Sequence, residues 1–195
     1  MTQFLLVCAA YFIGAIPTGV ILTRMVGGED IRQAGSGNIG ATNVYRVAGR
    51  KLGIITLIGD CLKGVIPVLI GQQGFGLSDS SLALIALAAF LGHCYPIYLG
   101  FKGGKGVATA LGIFLVLSPA TVLCVLVIFL LVLWKWRYIS LASISAAAIT
   151  PFLLLYFSSS LPLFATTCAI AGLVIWRHKT NIERLRNCSE SRFNL

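Results

Sequence analysis

Long apolar runs alternate with short polar, glycine-rich segments along this chain. The runs cover residues 4–23, 53–71, 81–101, 107–134, 138–157 and 161–176. A helix needs about 20 predominantly apolar residues to cross a bilayer, so each run predicts a membrane span. The fourth run is broken at Ser118-Pro119, and proline begins helices more readily than it continues them. That run is either one kinked helix or a hairpin of two. Lys102 and Lys105 precede it, and Lys135 and Arg137 follow it. A single crossing would put these pairs on opposite faces, whereas two crossings keep both inside, as the positive-inside rule favours. The hairpin gives seven spans. Its halves, about 11 and 15 residues at roughly 1.5 Å each, fall short of the ~30 Å hydrocarbon core and predict a recess or a thinned bilayer.

The same rule sets the orientation. With the N-terminus outside, the inner loops hold Arg24, Arg32, Arg46, Arg50, Lys51, Lys102, Lys105, Lys135 and Arg137. The inner tail holds Arg177, Lys179, Arg184, Arg186 and Arg192. Only Lys63 lies elsewhere, inside the second run. The C-terminus is therefore expected in the cytoplasm. The first run has no basic leader and no A-x-A-like cleavage site, so it reads as a retained span rather than a signal peptide.

Composition agrees. The chain has 195 residues, 57% hydrophobic and 11% charged, with a mean hydropathy of +0.92. Soluble domains carry about 25% charged residues, and so small a core could not hide this much apolar surface. The expected class is an all-α integral membrane protein forming a single domain over 1–195. The formal charge of +9 points to anionic lipid or an anionic substrate rather than nucleic acid. The six cysteines include no C-x-x-C pair, so a disulfide or zinc framework is not expected.

Three polar clusters fall on the predicted cytoplasmic side. The first is Gly35-Ser36-Gly37-Asn38-Ile39-Gly40-Ala41-Thr42-Asn43 with Arg46. Glycines allow backbone N–H groups to converge on an anion, Ser36, Asn38, Thr42 and Asn43 add neutral donors, and Arg46 adds a phosphate-binding fork. The second joins His93 to Lys102-Gly103-Gly104-Lys105-Gly106. A positive-inside stop signal would explain its lysines, but only a phosphate nest also explains its glycines. Neither cluster has Walker A spacing. The third, Arg177-His178-Lys179-Thr180-Asn181-Ile182-Glu183-Arg184, carries a capping-box pattern at Thr180 and Glu183. It reads either as a short interfacial helix or as a basic tail on anionic lipid. Asp60 and Lys63, three apart within a span, are expected to pair, because a lone charge there costs about 2.5–3.5 kcal/mol. They and His93 read as structural support. Ser143 lies at pocket depth in the sixth span.

With these residues in view, the chain resembles the bacterial acyl-phosphate:glycerol-3-phosphate acyltransferases of the PlsY type. The matching stretches are Tyr11-Phe12-Ile13-Gly14, Ile16-Pro17, Asp30-Ile31-Arg32, Gly35 to Asn43 with Arg46, Gly59-Asp60, Lys63-Gly64, Gly92-His93, Pro96, Phe101 to Thr109, Ser140-Leu141, Ser143, Arg177-His178, Asn181-Ile182, Arg184-Leu185 and Glu190. Departures are Ala15 for the frequent Ser, Ile39 for the usual Pro, and Cys188 for the usual Gly. The resemblance implies transfer of a fatty acyl group from acyl phosphate to the sn-1 hydroxyl of glycerol 3-phosphate, giving lysophosphatidate and phosphate. This reaction begins bacterial phospholipid synthesis. It implies Ser36, Arg46, Lys105, Ser143, His178 and Asn181 as active-site residues in the bacterial cytoplasmic membrane, and a site facing the cytoplasm.

Gly37, Asn38, Thr42, Asn43, Gly103, Gly104, Gly106 and Arg184 are expected to line the substrates. Lys105, Ser143 and the Gly103–Gly104 amides are given to acyl phosphate, and Arg46, His178 and Asn181 to glycerol 3-phosphate. An acyl phosphate is already activated, so no protein nucleophile, cofactor or metal is expected. His178 stays open as base or binder. No His-x₄-Asp pair of the acyl-CoA type occurs, and the three aspartates are too dispersed for a metal cluster. The alternative, an anion transporter or channel, would call for polar groups towards both faces or an inverted repeat. The substrates and membrane lipids are the expected partners; no protein partner is implied.

Overall fold

Ten α-helices account for most of residues 1–193, which the computed structural model describes; no strand occurs among them. Residues 1–116 and those from Leu117 onward form two compact units.

The first unit opens with α1 (Thr2–Ala15), which bends by 42° into α2 (Thr18–Met25). The residue before a proline is pushed out of the helical region, and Ile16, preceding Pro17, sits at φ −57°, ψ 117°. The expected span 4–23 is therefore a bent pair. The amphipathic α3 (Ala41–Ala48) stops at Gly49, and α4 (Arg50–Leu69) runs on through a π turn, Ile70–Gly74. Next come α5 (Asp79–Cys94), a 3₁₀ turn at Ile97–Leu99 and α6 (Val107–Leu117). α5 packs on α1 and α4. Helix backbones in membranes approach closely where side chains are small. A Cβ on Gly14 would run into the Ala89 carbonyl, and one on Gly92 into that of Tyr11. Gly64 and Gly112 bring α4 against α6 in the same way. Thr109 Oγ1 donates across that contact to the Asp60 carbonyl at 2.9 Å.

In the second unit α7 (Pro119–Trp136), α8 (Ile139–Phe157) and α9 (Leu161–Arg177) pack in sequence through short links. Consecutive neighbours are therefore antiparallel. α10 (Lys179–Arg186) leaves α9 at 53° and packs on α8 and α9. Leu123, Val127, Leu130, Leu131 and Trp134 of α7 are exposed, the pattern of a helix solvated by lipid.

Among the described residues four helices are long and apolar enough to cross a bilayer, or up to six if each bent pair is one span. The predicted hairpin halves are unequal. α6 has 11 residues, but α7 has 18, not about 15. Pro119 starts α7 immediately after Ser118, and the helix continues past the last apolar position to Trp136. Only α6 is short.

Candidate active site

Residues 31–40 form a loop tied to the start of α3 by one buried polar side chain. Gly35 and Gly37 take φ of +60° and +69°, left-handed values that a side chain resists, and the chain reverses about Ser36. Asn43, in the first turn of α3, is 2% exposed. Its Oδ1 accepts from the Ser36 N–H at 2.8 Å, and its Nδ2 lies 3.2, 3.0 and 2.9 Å from the carbonyls of Ile31, Ala34 and Asn38. Asn38 Oδ1 accepts from the Gly40 N–H at 2.8 Å, and the Gly37 N–H donates to the Ala34 carbonyl at 3.0 Å. The nest expected of this loop is therefore corrected. The Ser36, Gly37 and Gly40 amides serve the loop's own acceptors, and the Asn43 and Asn38 side chains bond backbone groups of the loop. What the loop presents is side chains: exposed Ser36, half-buried Thr42 and exposed Arg46. At its base Arg32 donates to Asp30 through Nε at 2.9 Å and Nη2 at 2.5 Å. These bonds hold the Asp30 carboxyl well below the usual carboxylate range and raise the Arg32 guanidinium.

The glycine–lysine segment also differs from its expected form. The Gly103 N–H donates to the Cys94 carbonyl at 3.2 Å, and the Gly104 N–H to the His93 carbonyl at 3.1 Å. The chain thus folds back on the last turn of α5 and satisfies carbonyls that a helix end leaves orphaned. A Cβ on Gly103 would strike the His93 carbonyl, and one on Gly104 the His93 imidazole. These two glycines are required by close approach to α5, so their amides are not donors to a substrate phosphate. Gly106, at φ +80°, packs against the Phe90 ring. Lys105 is half-buried between them. Beneath, Lys63 Nζ meets Asp60 Oδ1 at 2.6 Å, with both side chains 5% exposed or less, and His93 Nδ1 stands 3.9 Å from the same oxygen. The loops share a floor, because Leu99 packs on the buried cluster of Val20, Ile31, Ile39 and Val44.

The second unit carries the remaining candidates. Ser143 on α8 is buried and donates to the Ile139 carbonyl at 2.8 Å. His178 links α9 to α10 and is also buried; its Nδ1 lies 2.7 Å from the Val174 carbonyl. A carbonyl only accepts, so Nδ1 carries a proton and donates to it. Asn181 Nδ2 and Ser140 Oγ both donate to Glu190 Oε1 at 2.7 Å, and Arg184 Nε donates to Oε2 at 2.6 Å. Arg184, expected on substrate, is thus ion-paired within the tail. Burial alone would raise the Glu190 pKa, but the bonds from Arg184, Ser140 and Asn181 outweigh it and lower the group overall. α10 forms as expected but starts at Lys179 with His178 at its N-cap and no side-chain cap bond, so Thr180 does not begin a capping box.

Glu190 stands among the residues shared with the PlsY type, but neither that match nor an acid among the tail cations says what it does. Beyond α10, the Ser189 N–H donates to the Arg184 carbonyl at 2.8 Å and the Cys188 N–H to that of Leu185 at 3.3 Å, with Cys188 at φ +54°. This is a Schellman ending. It keeps the turn for which the resemblance favours glycine, and it aims Glu190 back at α8 and α10. The Phe193 N–H donates to the Arg137 carbonyl at 2.7 Å and completes the strap.

Helices of bilayer length that carry basic and hydroxyl side chains on polar segments define an integral membrane protein with a site for anionic groups. The family model described as glycerol-3-phosphate acyltransferase matches residues 4–188, and the chain belongs to that family. It is 63% identical over 195 residues to the glycerol-3-phosphate acyltransferase of Syntrophotalea carbinolica, covering 99% of both chains. It is 52% identical to that of Geobacter sulfurreducens, covering 99% of this chain and 98% of the relative. Among solved structures it is similar to PlsY (YgiH), an integral membrane glycerol 3-phosphate acyltransferase. Against the glycerol 3-phosphate form it has 41% identity and a TM-score of 0.95, covering 100% of this chain and 96% of that one. Against the lysophosphatidic acid form the TM-score is 0.92 at 40% identity, with the same coverage.

Proposed function

We propose that this enzyme takes its acyl group from acyl phosphate and delivers it to the sn-1 hydroxyl of glycerol 3-phosphate, releasing lysophosphatidate and phosphate. The hydroxyl oxygen bonds to the acyl carbon, the carbon–oxygen bond to phosphate breaks, and the hydroxyl proton leaves on a phosphate oxygen. The donor is a mixed anhydride with a good leaving group, so the protein has two tasks: to hold two anions against their repulsion and to stabilise the charge developing between them. Lys105 and Ser143 serve the acyl phosphate. Arg46, His178 and Asn181 serve glycerol 3-phosphate, and the exposed Ser36 hydroxyl acts with them. We read the chain as one acyltransferase domain over 1–195.

The observation that carries this reading is the form of the glycine-rich segments. The Ser36, Gly37, Gly40, Gly103 and Gly104 amides are bonded internally, so charge stabilisation falls to Lys105, Arg46 and the hydroxyl groups. Those suit phosphate groups, and the arrangement needs no acyl-enzyme intermediate. The relatives bound to glycerol 3-phosphate and lysophosphatidic acid support the acceptor and the product.

We further read seven crossings, with α6 as the short one. The N-terminus is outside, the cationic loops and the site are cytoplasmic, and the bilayer is the bacterial inner membrane. The test is purified chain with glycerol 3-phosphate and either palmitoyl phosphate or palmitoyl-CoA, with product formation followed. Turnover with the phosphate donor is expected; turnover with the thioester alone overturns the donor assignment. His178→Asn is expected to retain measurable turnover. Its abolition with substrate binding intact would make His178 the base.

A further inference from the structure

We propose that Asn43 is a positioning residue whose carboxamide sets the conformation in which the 31–40 loop presents Ser36 to substrate; this rests on Ser36 acting in the proposed reaction. Two N–H bonds on Nδ2 face three carbonyls, those of Ile31, Ala34 and Asn38, within 3.2 Å, so one hydrogen is shared. Oδ1 takes the Ser36 amide. A single planar group therefore ties together four points of the loop, spread from residue 31 to residue 38. Asn43 is itself fixed, because it sits one turn into α3 beside Val44, which is fully buried.

The fit is tight and chemically specific. A Cβ on Gly35 would collide with Asn43 Oδ1, so the glycine before Ser36 is demanded by this carboxamide as well as by its own φ. Aspartate has the same shape and would still accept from Ser36. It has no N–H, however, and would turn a carboxylate towards three carbonyl oxygens. Alanine removes all four bonds; the Ala34 carbonyl keeps the Gly37 N–H, but the buried Ile31 carbonyl loses its Asn43 donor, an effect worth about 1–3 kcal/mol in a buried site. Because Ser36 is exposed and reached only through this loop, the disorder falls on the residue that meets substrate.

The experiment uses the full chain purified in detergent, as wild type, Asn43→Ala, Asn43→Asp, Ser36→Ala and Ser36→Ala/Asn43→Ala. Phosphate release gives kcat and KM for each substrate, and trypsin cleavage after Arg32 reports loop opening without needing activity. Both Asn43 variants are expected to lose about 30-fold or more in kcat/KM. In the Ser36→Ala background the same change is expected to cost less than about threefold, because coupled residues are not additive. Cleavage after Arg32 is expected to speed up about tenfold, with cleavage elsewhere unchanged. Equal losses in both backgrounds, or unchanged cleavage after Arg32, overturn the proposal. If the wild type turns over no acyl phosphate, the functional reading fails, while the cleavage arm still decides the role of Asn43 in the loop.

Discussion

Cys188 stands where the tail turn asks for glycine. At φ +54° it closes the Schellman ending of α10 in a left-handed conformation. An L-residue there costs about 1–2 kcal/mol. Cys188→Gly relieves that strain, and the greater freedom of glycine in the open chain takes back part of the gain, about 0.5–1 kcal/mol. The net is about 0.5–1 kcal/mol in favour of the closed turn, or roughly two- to fivefold slower amide exchange for Cys188, Ser189 and the last turn of α10. Hydrogen–deuterium exchange on the detergent-purified protein reads this without global unfolding, which for membrane proteins is often irreversible. Cys188→Ala is the control: it removes the thiol but keeps the Cβ, so it should leave exchange near wild type. If alanine protects the turn as well as glycine does, or glycine gives no protection, backbone strain at this position is not the determinant.

Asp60→Asn leaves Lys63 buried without its counter-charge, and breaking such a pair costs about 3–5 kcal/mol. A clear drop in apparent Tm is expected, with Asp60→Leu/Lys63→Met recovering most of it; a Tm within error of wild type for the single change would mean that Lys63 finds another partner. Glu190 is held below its ordinary value of 4.5. The free carboxyl protonates near that value and the anchored one only at lower pH, so the contribution of the strap is complete above about pH 4.5 and is lost as pH falls through the depressed value. Protection of the tail from carboxypeptidase or from exchange should persist at about pH 5 and be lost only at a pH below the ordinary carboxylate value; loss between about pH 7 and 5 would show that Glu190 is not the anchor. Gly104→Ala drives a methyl group into the His93 ring, so the segment must shift. Turnover should fall at least about tenfold while the protein stays folded, since active-site geometry tolerates displacements of well under 1 Å.

The spans were legible because a bilayer imposes a length and an apolar composition that local sequence displays directly. The break at Ile16-Pro17 and the start of α7 at Pro119 follow from proline chemistry that acts over one or two residues. The Asp60–Lys63 pair was legible for a similar reason: two opposite charges three apart within an apolar run have little choice but each other. Exact span lengths were less so, since α7 extends through a tryptophan–lysine end that hydropathy treats as boundary.

The sequence by itself determined the class of protein, its helices, the polar segments that matter and the family to which those segments belong. Tertiary structure alone decided what the glycines and asparagines do. A glycine that lets a phosphate approach and one that lets a neighbouring helix end approach look the same in a string of letters. Only the positions of the Cys94 and His93 carbonyls show that Gly103 and Gly104 are of the second kind. The Asn43 carboxamide likewise could face a ligand or its own loop, and Glu190 could dangle or clasp. Such outcomes depend on which hydrogen-bond partners from distant parts of the chain come within about 3 Å, and no local pattern encodes that distance.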